Sequence, residues 1–278
     1  MLEQKSFFND KPTLYVVSTP IGNLKDITFR AVEILSEVYI IFAEDTRVSA
    51  ALLKHYKINK AINAYHDFNK EIMNDNIIKL LSTNKSVALI SDAGTPGISD
   101  PGFEIINMAI SHGFNVVSIP GASAILAALV TSGLLIQPFT FVGFLPRKNK
   151  NLSELLSKYK NREETLVIYE SPLRVKGTLK TLFEHLGNRK LAISRELTKL
   201  HESIIRTDLR DAITLDIMEK GEFVLVIEGA TTNHVLDIDV EEHLMMYLKQ
   251  GFSKMDAIKK VAKDRGVSKS VIYDLVGK

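Results

Sequence analysis

The segment that decides the fold reads Ser91-Asp92-Ala93-Gly94-Thr95-Pro96-Gly97-Ile98-Ser99-Asp100-Pro101-Gly102. It follows the apolar run 87–90 and precedes a helical pattern that begins near Phe103, so the order predicts a strand, a rigid loop and a helix. Its glycines let the backbone approach a ligand, and its prolines fix φ and lower the entropy lost when the loop is ordered. At the carboxyl end of a strand, such a loop occupies the position where open α/β sheets bind ligands.

The loop lacks both familiar nucleotide signatures. No Lys-Ser or Lys-Thr pair follows a glycine at the Walker spacing, and the G-x-G-x-x-G dinucleotide pattern is absent. A structural crossover turn is the alternative interpretation, since glycine and proline also mark ordinary turns. The two aspartates that flank the uncharged centre favour a ligand site, because a solvated turn rarely needs so much restriction.

Apolar strands and amphipathic helices alternate around this loop, which predicts an α/β fold. The first sheet is expected to be mainly parallel and covered on both faces, so that the segments following its strands gather at one edge. Its predicted strands are 13–18, 38–43, 59–64, 87–90 and 115–119. Four helices are predicted in this lobe. The first begins at Asp26, the second follows Arg47 and ends at His55, the third covers 71–81, and the fourth runs from near Phe103 to Ser111.

A second α/β unit follows an apolar crossover. Its predicted strands are 139–143, 165–169, 190–195, 203–206 and 222–227, and its predicted helices are 152–159, 173–186 and 209–218. Two compact lobes, with a hinge in 120–133 and a cofactor cleft between them, are the natural division. We therefore predict an N-terminal lobe over 1–120, a second lobe over 121–236 and a small helical unit over 237–278.

The C-terminal unit has the spacing of a helix-turn-helix. Residues 255–273 form an apolar helix face, a glycine turn, a serine N-cap and a second helical pattern. From Gly251 onward there are seven Lys and Arg against three Asp, an excess of four positive charges. Lys259, Lys260, Lys263 and Arg265 are therefore candidates for phosphate contacts. The alternative is a helical hairpin that packs on the second lobe with a solvated basic face.

Composition narrows the class of protein. With 278 residues, 45% of them apolar, the chain can form one large domain or two ordinary domains. The absence of cysteine excludes disulfides and thiolate metal sites and favours a reducing, cytoplasmic compartment. The histidines show no ligand spacing, so no metal site is expected. A net charge of +2 is too small to indicate nucleic-acid binding, so any RNA contact must come from local basic clusters, and composition is neutral on the substrate.

Two segments are candidates for a signal peptide or a membrane span, and neither has the required pattern. Residues 1–11 lack the apolar core of a signal peptide and are expected to fray. Residues 116–146 carry no charged side chain and exceed the roughly 20 residues of a membrane span. Glycines and prolines divide this run into pieces of strand and helix length, so we expect no membrane association.

Six segments in order carry a resemblance to a known family. They are STPIGNLKDIT at 18–28, AEDTR at 43–47, the loop at 91–102, PGASA at 120–124, YESPLR at 169–174 and RELTKLHE at 195–202. Together they resemble the ribosomal RNA small-subunit methyltransferases, a family similar in fold to the tetrapyrrole methylases. The resemblance runs from about Leu14 to Gly229.

The resemblance implies an activity and a cofactor site. It implies methylation of the ribose 2'-hydroxyl of a cytidine in the decoding centre of 16S ribosomal RNA, with S-adenosyl-L-methionine as cofactor, in a homodimer. The positions that it implies for cofactor binding are Pro20, Gly22, Asp92, Ala93, Gly94, Thr95, Pro96, Ile98, Ser123, Ala124, Tyr169, Glu170 and Leu197.

Methyl transfer from a sulfonium requires alignment, a desolvated pocket and removal of the hydroxyl proton, and it requires no metal. The candidates for proton removal are Glu44, Asp45, Glu170, Lys199 and Glu202, because each is predicted at or near a strand end that faces the cleft. An ion pair is the alternative role for these side chains. The pairs expected in that case are Asp45 with Arg47 or Arg30, Glu170 with Arg174, and Lys199 with Glu196.

The sequence thus predicts a two-lobed α/β methyltransferase that acts on small-subunit ribosomal RNA. A methylase of a tetrapyrrole or another small molecule is the alternative within the enzymes. An RNA-binding module without catalysis is the alternative outside them.

Overall fold

The computed structural model describes residues 3–6, 11–230 and 239–276. Its first sheet has the strand order β3-β2-β4-β1-β5, and every neighbouring pair of strands is parallel. The strands are β1 (Thr13–Val17), β2 (Ile40–Ala43), β3 (Ile62–Ala64), β4 (Val87–Ile90) and β5 (Asn115–Ile119). The predicted parallel sheet is therefore present, and strands β1 and β4, which carry key motifs, are neighbours.

Helices cover both faces of this sheet. They are α1 (Phe29–Glu37), α2 (Thr46–His55), α3 (Lys70–Ser82) and α4 (Phe103–Ser111). Helices α1 and α2 share one core with Ala88 and Ile90 of β4, whereas α3 and α4 share the other with Val87 and Leu89. Because successive side chains of a strand point to opposite faces, a strand covered on both sides has a continuous apolar run.

The second sheet is mixed and has the order β6-β7-β10-β8-β9. Strands β6 and β7 are parallel, and the other neighbouring pairs are antiparallel. The strands are β6 (Phe139–Phe144), β7 (Thr165–Glu170), β8 (Lys190–Arg195), β9 (Ser203–Asp208) and β10 (Phe223–Ile227).

The two faces of the second sheet have different partners. On one face, α6 (Asn149–Tyr159), α7 (Val175–Leu186) and α8 (Leu209–Ala212) form a core with the strands. On the other face, α5 (Ala124–Thr131) packs together with Ile21 of the first lobe. The contact of Ile21 joins the two lobes, and the cleft lies beside it.

Several predicted element boundaries are wrong: α6 begins at Asn149 and not at 152, β2 begins two residues after the predicted 38 and α7 two residues after the predicted 173, and β9 ends two residues after the predicted 206. The helix predicted from Asp26 begins at Phe29, because Asn23 caps a 3₁₀ turn at Leu24–Asp26 and the Thr28 side chain caps α1 by accepting from the Ala31 N–H. The strand predicted over 59–64 begins only at Ile62. The helix predicted over 209–218 ends at Ala212, where the Thr214 hydroxyl donates to the Asp211 carbonyl and a turn replaces the helix.

The long uncharged run forms β5, α5 and β6, as its glycines and prolines predicted. In the part of the chain that the structure describes, no helix is long and apolar enough to cross a membrane. The expectation that 1–11 frays is wrong for Gln4, whose side-chain amide exchanges hydrogen bonds of 2.9 and 3.0 Å with the Val116 backbone at the sheet edge. Residues 1–2 and 7–10 of that segment lie outside the described residues.

The C-terminal unit contains three helices, α9 (Val240–Lys249), α10 (Lys254–Asp264) and α11 (Lys269–Val276). The predicted pair corresponds to α10 and α11, and Ser253 caps α10 by accepting from the Asp256 N–H. These helices share a small core of their own, formed by Leu244, Ala257, Ile258, Val261, Ala262 and Ile272. Residues 231–238, where the predicted boundary at 236/237 falls, lie outside the described residues.

Candidate active site

A cavity of about 370 Å³ lies between the two sheets, at the carboxyl edge of the first. Its volume is within the range of small-molecule sites. The first lobe and the start of α5 contribute Ile21, Ala93, Gly94, Thr95, Ile98, Ser99, Asp100, Ser123, Ala124 and Ile125. The second lobe contributes Phe144, Tyr169, Glu170, Ser171, Pro172, Leu197, Gly221, Glu222, Phe223 and Val224.

The loop at 91–102 is held against the end of β1. The backbones of Thr19 and Gly94 exchange two hydrogen bonds, of 2.8 and 3.1 Å, and the hydroxyls of Ser18 and Thr95 are 2.7 Å apart. Gly94 has a φ of 78°, which an L side chain rarely adopts. A Cβ at Gly94 would contact only Ile21, at 3.7 Å, so the space in front of this glycine is the cavity.

The second-lobe wall is built at one end of three strands. Phe223, the first residue of β10, pairs with Glu170 at the end of β7 and with Arg195 at the end of β8. Because β10 runs antiparallel to both, its amino end lies beside their carboxyl ends. The Tyr169 ring makes edge contacts with Phe141 and Phe144, and burial, with a contribution from the Asp100 carboxylate, raises the pKa of Tyr169 to about 12. The part of this wall around Tyr169 is aromatic.

Leu197 enters the cavity from a strained turn. Its neighbours Glu196 and Thr198 both have left-handed backbones, with φ of 53° and 68°, although neither is glycine. Each such residue costs on the order of 1–3 kcal/mol and persists only where its surroundings impose it. The Glu196 carboxylate imposes it here, because it accepts hydrogen bonds from the Glu222 N–H at 3.0 Å and from Lys199 Nζ at 2.9 Å.

Lys199 joins two carboxylates beside the cavity. Its Nζ lies 2.9 Å from Glu196 Oε1 and 2.9 Å from Glu222 Oε2. Partial burial lowers the pKa of Lys199, but the hydrogen bonds to Glu222 and Glu196 together outweigh it, and the pKa lies above its ordinary value. The Lys199 stem also covers Gly22, where an added Cβ would overlap it. This ammonium group stays protonated, so the geometry favours the ion-pair alternative over proton removal.

We expect Lys199→Met to loosen the Leu197 turn rather than to stop the chemistry. Loss of the cation leaves Glu196 and Glu222 close together without their shared partner, so affinity for the cofactor falls. At saturating cofactor, kcat should stay within tenfold of the wild-type value, since a true base contributes about 10²-fold to 10⁴-fold. Steady-state kinetics check this, and a loss of 100-fold in kcat with unchanged cofactor affinity would contradict it.

Asp45 is also occupied in the structure. Its carboxylate caps α2 by accepting from the Arg47 N–H at 2.8 Å, and the Arg47 guanidinium binds it at 3.1 and 2.6 Å. These contacts lower the pKa of Asp45 to about 2. Of the two predicted partners, Arg47 is therefore the one found, and so weak a base is poorly suited to take a hydroxyl proton.

Glu44 and Glu170 differ in the groups that surround their carboxylates. Other carboxylates lie near Glu44, whereas hydrogen-bond donors contact Glu170. Burial, with a contribution from the Asp92 carboxylate, raises the pKa of Glu44. Glu170 is only 2% exposed, and its carboxylate accepts from the Thr178 hydroxyl at 2.6 Å and from the Ser171 N–H at 2.8 Å. Arg174 Nε lies 3.5 Å from it, as the ion-pair alternative predicted. Glu170 therefore lines the cavity while its oxygens are already used by donors of its own lobe.

The structure brings together nine of the thirteen positions implied for the cofactor. Those in the cavity wall are Ala93, Gly94, Thr95, Ile98, Ser123, Ala124, Tyr169, Glu170 and Leu197. Pro20 and Pro96 are buried outside the wall, and Gly22 lies under Lys199. Asp92 is also outside it, where its side chain accepts a hydrogen bond of 3.0 Å from the Asp45 N–H.

Several residues of the wall were not predicted. Ser99 and Asp100 stand in the quoted loop but were not assigned to the site, and the left-handed backbone of Ser99, with φ of 69°, gives no sequence signal. Gly221 and Glu222 were missed because the rule of carboxyl strand ends does not cover the amino end of an antiparallel strand. The sequence signal for these two residues was a glycine two positions before the apolar strand β10. In the described ranges, no group of three His, Asp or Glu side chains is placed to hold a metal ion.

Comparison with known proteins supports this description. The family model for tetrapyrrole (corrin/porphyrin) methylases matches residues 13–213. Among solved structures, a diphthine synthase is 15% identical with a TM-score of 0.62, covering 80% of this chain and 91% of its own. A cobalt precorrin-4 methyltransferase is 19% identical with a TM-score of 0.58, covering 77% and 94%. These two likenesses concern the fold.

Relatives with much higher identity show to which branch of the tetrapyrrole methylase family the chain belongs. The ribosomal RNA small subunit methyltransferase I of Halalkalibacterium halodurans is 44% identical, over 96% of this chain and 95% of its own length. The protein of the same name from Bacillus subtilis is 43% identical, over 99% and 98%. The resemblance seen in the six segments and the predicted fold are thereby confirmed. The chain belongs to the tetrapyrrole methylase family, in the branch of ribosomal RNA small subunit methyltransferase I.

Proposed function

We propose that this protein methylates ribosomal RNA of the small subunit, at the ribose 2'-hydroxyl of a cytidine in 16S ribosomal RNA. Its cofactor is S-adenosyl-L-methionine. The observation that carries the proposal is the cavity between the lobes, because most of its wall comes from five of the six segments that carry the resemblance. The names of the relatives at 43% and 44% identity support ribosomal RNA as the acceptor.

The residues of the cavity suit this cofactor. The first-lobe wall offers mainly backbone and small side chains at Ala93, Gly94 and Ala124, and the second offers the apolar surfaces of Tyr169 and Leu197. The amino end of α5 begins in this wall, and helix amino ends favour a carboxylate such as that of the methionine part. The bound cofactor supplies an electrophilic methyl group on a sulfonium. The protein's part is to hold it, exclude water and move a proton.

A methylase of a tetrapyrrole or another small molecule is the alternative. It is supported by the family match and by the fold of the cobalt precorrin-4 methyltransferase, but that protein is only 19% identical. The C-terminal helices favour RNA, because they add a basic surface to the two lobes. The other alternative, a module that binds RNA without catalysis, does not account for the cavity between the lobes.

The test is methylation in vitro with radiolabelled cofactor. Small ribosomal subunits from a strain deleted for its own enzyme of this branch serve as acceptor, and tetrapyrroles are offered in parallel. We expect label in 16S ribosomal RNA, in a dinucleotide that resists alkaline hydrolysis because its 2'-hydroxyl is blocked. Label in an alkali-sensitive nucleotide would indicate base methylation, and label only in a tetrapyrrole would support the alternative.

The C-terminal unit is proposed to bind RNA phosphates, and the structure changes which lysines are candidates. Lys259 pairs with Asp256 at 3.1 Å, and Lys260 lies over the Tyr247 and Phe252 rings. Arg265 donates to His243 Nδ1 at 3.2 Å. The exposed lysines Lys254, Lys263 and Lys269 are the better candidates.

We expect replacement of these three lysines by glutamine to weaken RNA binding and its salt dependence together. Each phosphate that the protein no longer neutralises should reduce the slope of log affinity against log salt by about 0.7 to 0.9. Filter binding to small subunits at several salt concentrations measures this, with Lys54, Lys57 and Lys79 of the first lobe replaced as a matched control of equal charge. An unchanged slope in the C-terminal triple variant would leave the unit with a structural role. It would move RNA binding to Arg147, Lys148 and Lys150, three basic residues just before and at the start of α6.

The remaining features belong to the same proposal. We propose that the protein acts in the cytoplasm as a homodimer, with the small ribosomal subunit as partner. We also propose lobe boundaries at 120/121 and 236/237. The first is supported by β5, which ends at Ile119 in the first sheet, and by α5, which packs on the second.

A further inference from the structure

We propose that a groove between α10 and α11 binds one unstacked base of the RNA, with the Tyr273 ring as its stacking surface. The inference rests on the proposed function, because it says how the C-terminal unit contacts the RNA acceptor. The groove has a volume of about 260 Å³. Its α10 side is formed by Met255, Ile258 and Lys259, and its α11 side by Lys269, Ser270, Tyr273 and Asp274.

The spacing of residues along the two helices builds this groove. Met255, Ile258 and Lys259 are three and four positions apart on α10, so they lie on one helix face. Lys269 and Tyr273 are four positions apart on α11 and also share a face. Ile258 is 2% exposed and forms the floor, whereas Met255 and Tyr273 are 57% and 53% exposed. The groove therefore has an apolar floor and an aromatic wall that solvent reaches.

The size of the groove argues against a protein partner. Pockets for small molecules have volumes of about 300–1,000 Å³, so a groove just below this range holds one ring system and not a larger ligand. A stable protein–protein interface uses about 20–30 residues on each side, whereas seven of the described residues line this groove. A partner helix would need a longer apolar row, with anchors at i, i+3, i+4 and i+7. A single planar group is the occupant that fits.

The charges around the groove favour a nucleotide. Lys259 and Lys269 line the groove, against one acid, Asp274. Lys259 pairs with Asp256 at 3.1 Å, so Lys269 is the cation better placed to contact a phosphate. The Asp274 carboxylate repels phosphate from the groove itself, and a carboxylate can accept a hydrogen bond from the amino group of cytosine. A nucleotide matches this pattern with its base in the groove and its phosphate beside Lys269.

An RNA duplex cannot use this helix pair as a DNA duplex uses a helix-turn-helix. A recognition helix reads bases in the wide major groove of B-form DNA, but the major groove of A-form RNA is deep and too narrow for side chains to read. Sequence-specific binding of RNA instead uses unpaired bases, which stack on aromatic side chains. Tyr273 presents such a ring on the second helix of the pair.

The first test removes the ring and keeps the position apolar. We expect Tyr273→Leu to weaken binding of a short single-stranded RNA oligonucleotide by about 5-fold to 150-fold, because one stacked base contributes that much and leucine has no flat face. The slope of log affinity against log salt should stay unchanged, since a neutral ring neutralises no phosphate. Fluorescence anisotropy of labelled RNA measures both quantities. The unfolding midpoint and the calorimetric affinity for S-adenosyl-L-methionine should equal the wild-type values.

Two controls accompany this variant. Tyr39 directly precedes β2 in the first lobe and is 53% exposed, the same fraction as Tyr273. Tyr39→Leu should therefore bind the oligonucleotide with wild-type affinity. An RNA duplex of the same sequence is the second control, because paired bases cannot enter the groove. Tyr273→Leu should leave the affinity for this duplex unchanged.

The second test reports directly on occupancy of the groove. The chain contains no tryptophan, so Tyr273→Trp introduces a single indole and keeps an aromatic face. We expect this variant to bind the oligonucleotide with wild-type affinity and its fluorescence to be quenched, because a base stacks on the indole. Tyr39→Trp should show no quenching. Fluorescence of Tyr273→Trp that changes with protein concentration, without RNA, would instead show that a second copy occupies the groove.

The outcomes separate this inference from the proposed function. If folded Tyr273→Leu keeps its affinity, if the indole of Tyr273→Trp stays unquenched, or if the wild type binds no single-stranded RNA, the assignment of the groove is overturned. A loss of affinity with whole small subunits but not with naked RNA would also overturn it and indicate a ribosomal protein as occupant. If quenching occurs but no ribose hydroxyl of ribosomal RNA is methylated, the proposed reaction fails and the groove stands.

Discussion

We expect Gly94→Val to abolish binding of S-adenosyl-L-methionine in a protein that still folds. The valine methyl groups would extend past Ile21 into the cavity, since the nearest atom to an added Cβ is the Ile21 side chain at 3.7 Å. Thermal stability falls moderately, because a non-glycine residue at a φ of 78° costs about 1 kcal/mol or more. Isothermal calorimetry should detect no heat of binding at cofactor concentrations that saturate the wild type.

Gly113→Val is the matched control for this effect. Gly113 has nearly the same backbone, with a φ of 76°, but an added Cβ there meets no atom within 4 Å, and the residue does not line the cavity. The two variants should therefore lose similar stability from backbone strain, while only Gly94→Val loses the cofactor. Retained affinity in folded Gly94→Val protein would show that the loop does not bind the cofactor.

We expect Glu170→Ala to destabilise the second lobe by about 3 kcal/mol, the cost of breaking a buried, hydrogen-bonded carboxylate pair. The Thr178 hydroxyl and the Ser171 N–H lose the acceptor that they contact at 2.6 and 2.8 Å, and Arg174 loses its carboxylate at 3.5 Å. Urea unfolding, with the midpoint multiplied by the slope, measures the loss. Glu154→Ala, on the exposed face of α6, is the control and should change stability little.

The kinetics of the same variant separate two roles of Glu170. If the carboxylate holds its own lobe together, folded Glu170→Ala protein at low temperature should keep kcat within tenfold of the wild type. A stable variant with a loss in kcat of more than about 100-fold would instead place Glu170 in the chemistry. That result would make Glu170 a proton acceptor, as one of its two predicted roles requires.

Local signals in the sequence were sufficient for the architecture. Alternation of strands and helices predicted the parallel first sheet, because periodicity depends only on residues that are neighbours in the chain. The loop at 91–102 was found at the end of β4 for the same reason, since glycine and proline act on their own backbone. The six segments identified the family. Predicted boundaries were wrong where a single side chain decides the end of an element, as Thr28 does at the start of α1.

The chemistry of the site was decided by tertiary contacts. Lys199 keeps its proton because its hydrogen bonds to Glu222, 23 positions away, and to Glu196 outweigh its partial burial. Burial, together with the Glu44 and Asp92 carboxylates, raises the pKa of Asp100 to about 6. The amino end of β10 belongs to the cavity because the strand runs antiparallel to β7 and β8. The sequence thus determined most of the segments that form the cavity, since these depend on local pattern, but not the segment at the start of β10. Only the folded structure decided which side chains carry charge or can take a proton, because a pKa depends on groups brought together from distant parts of the chain.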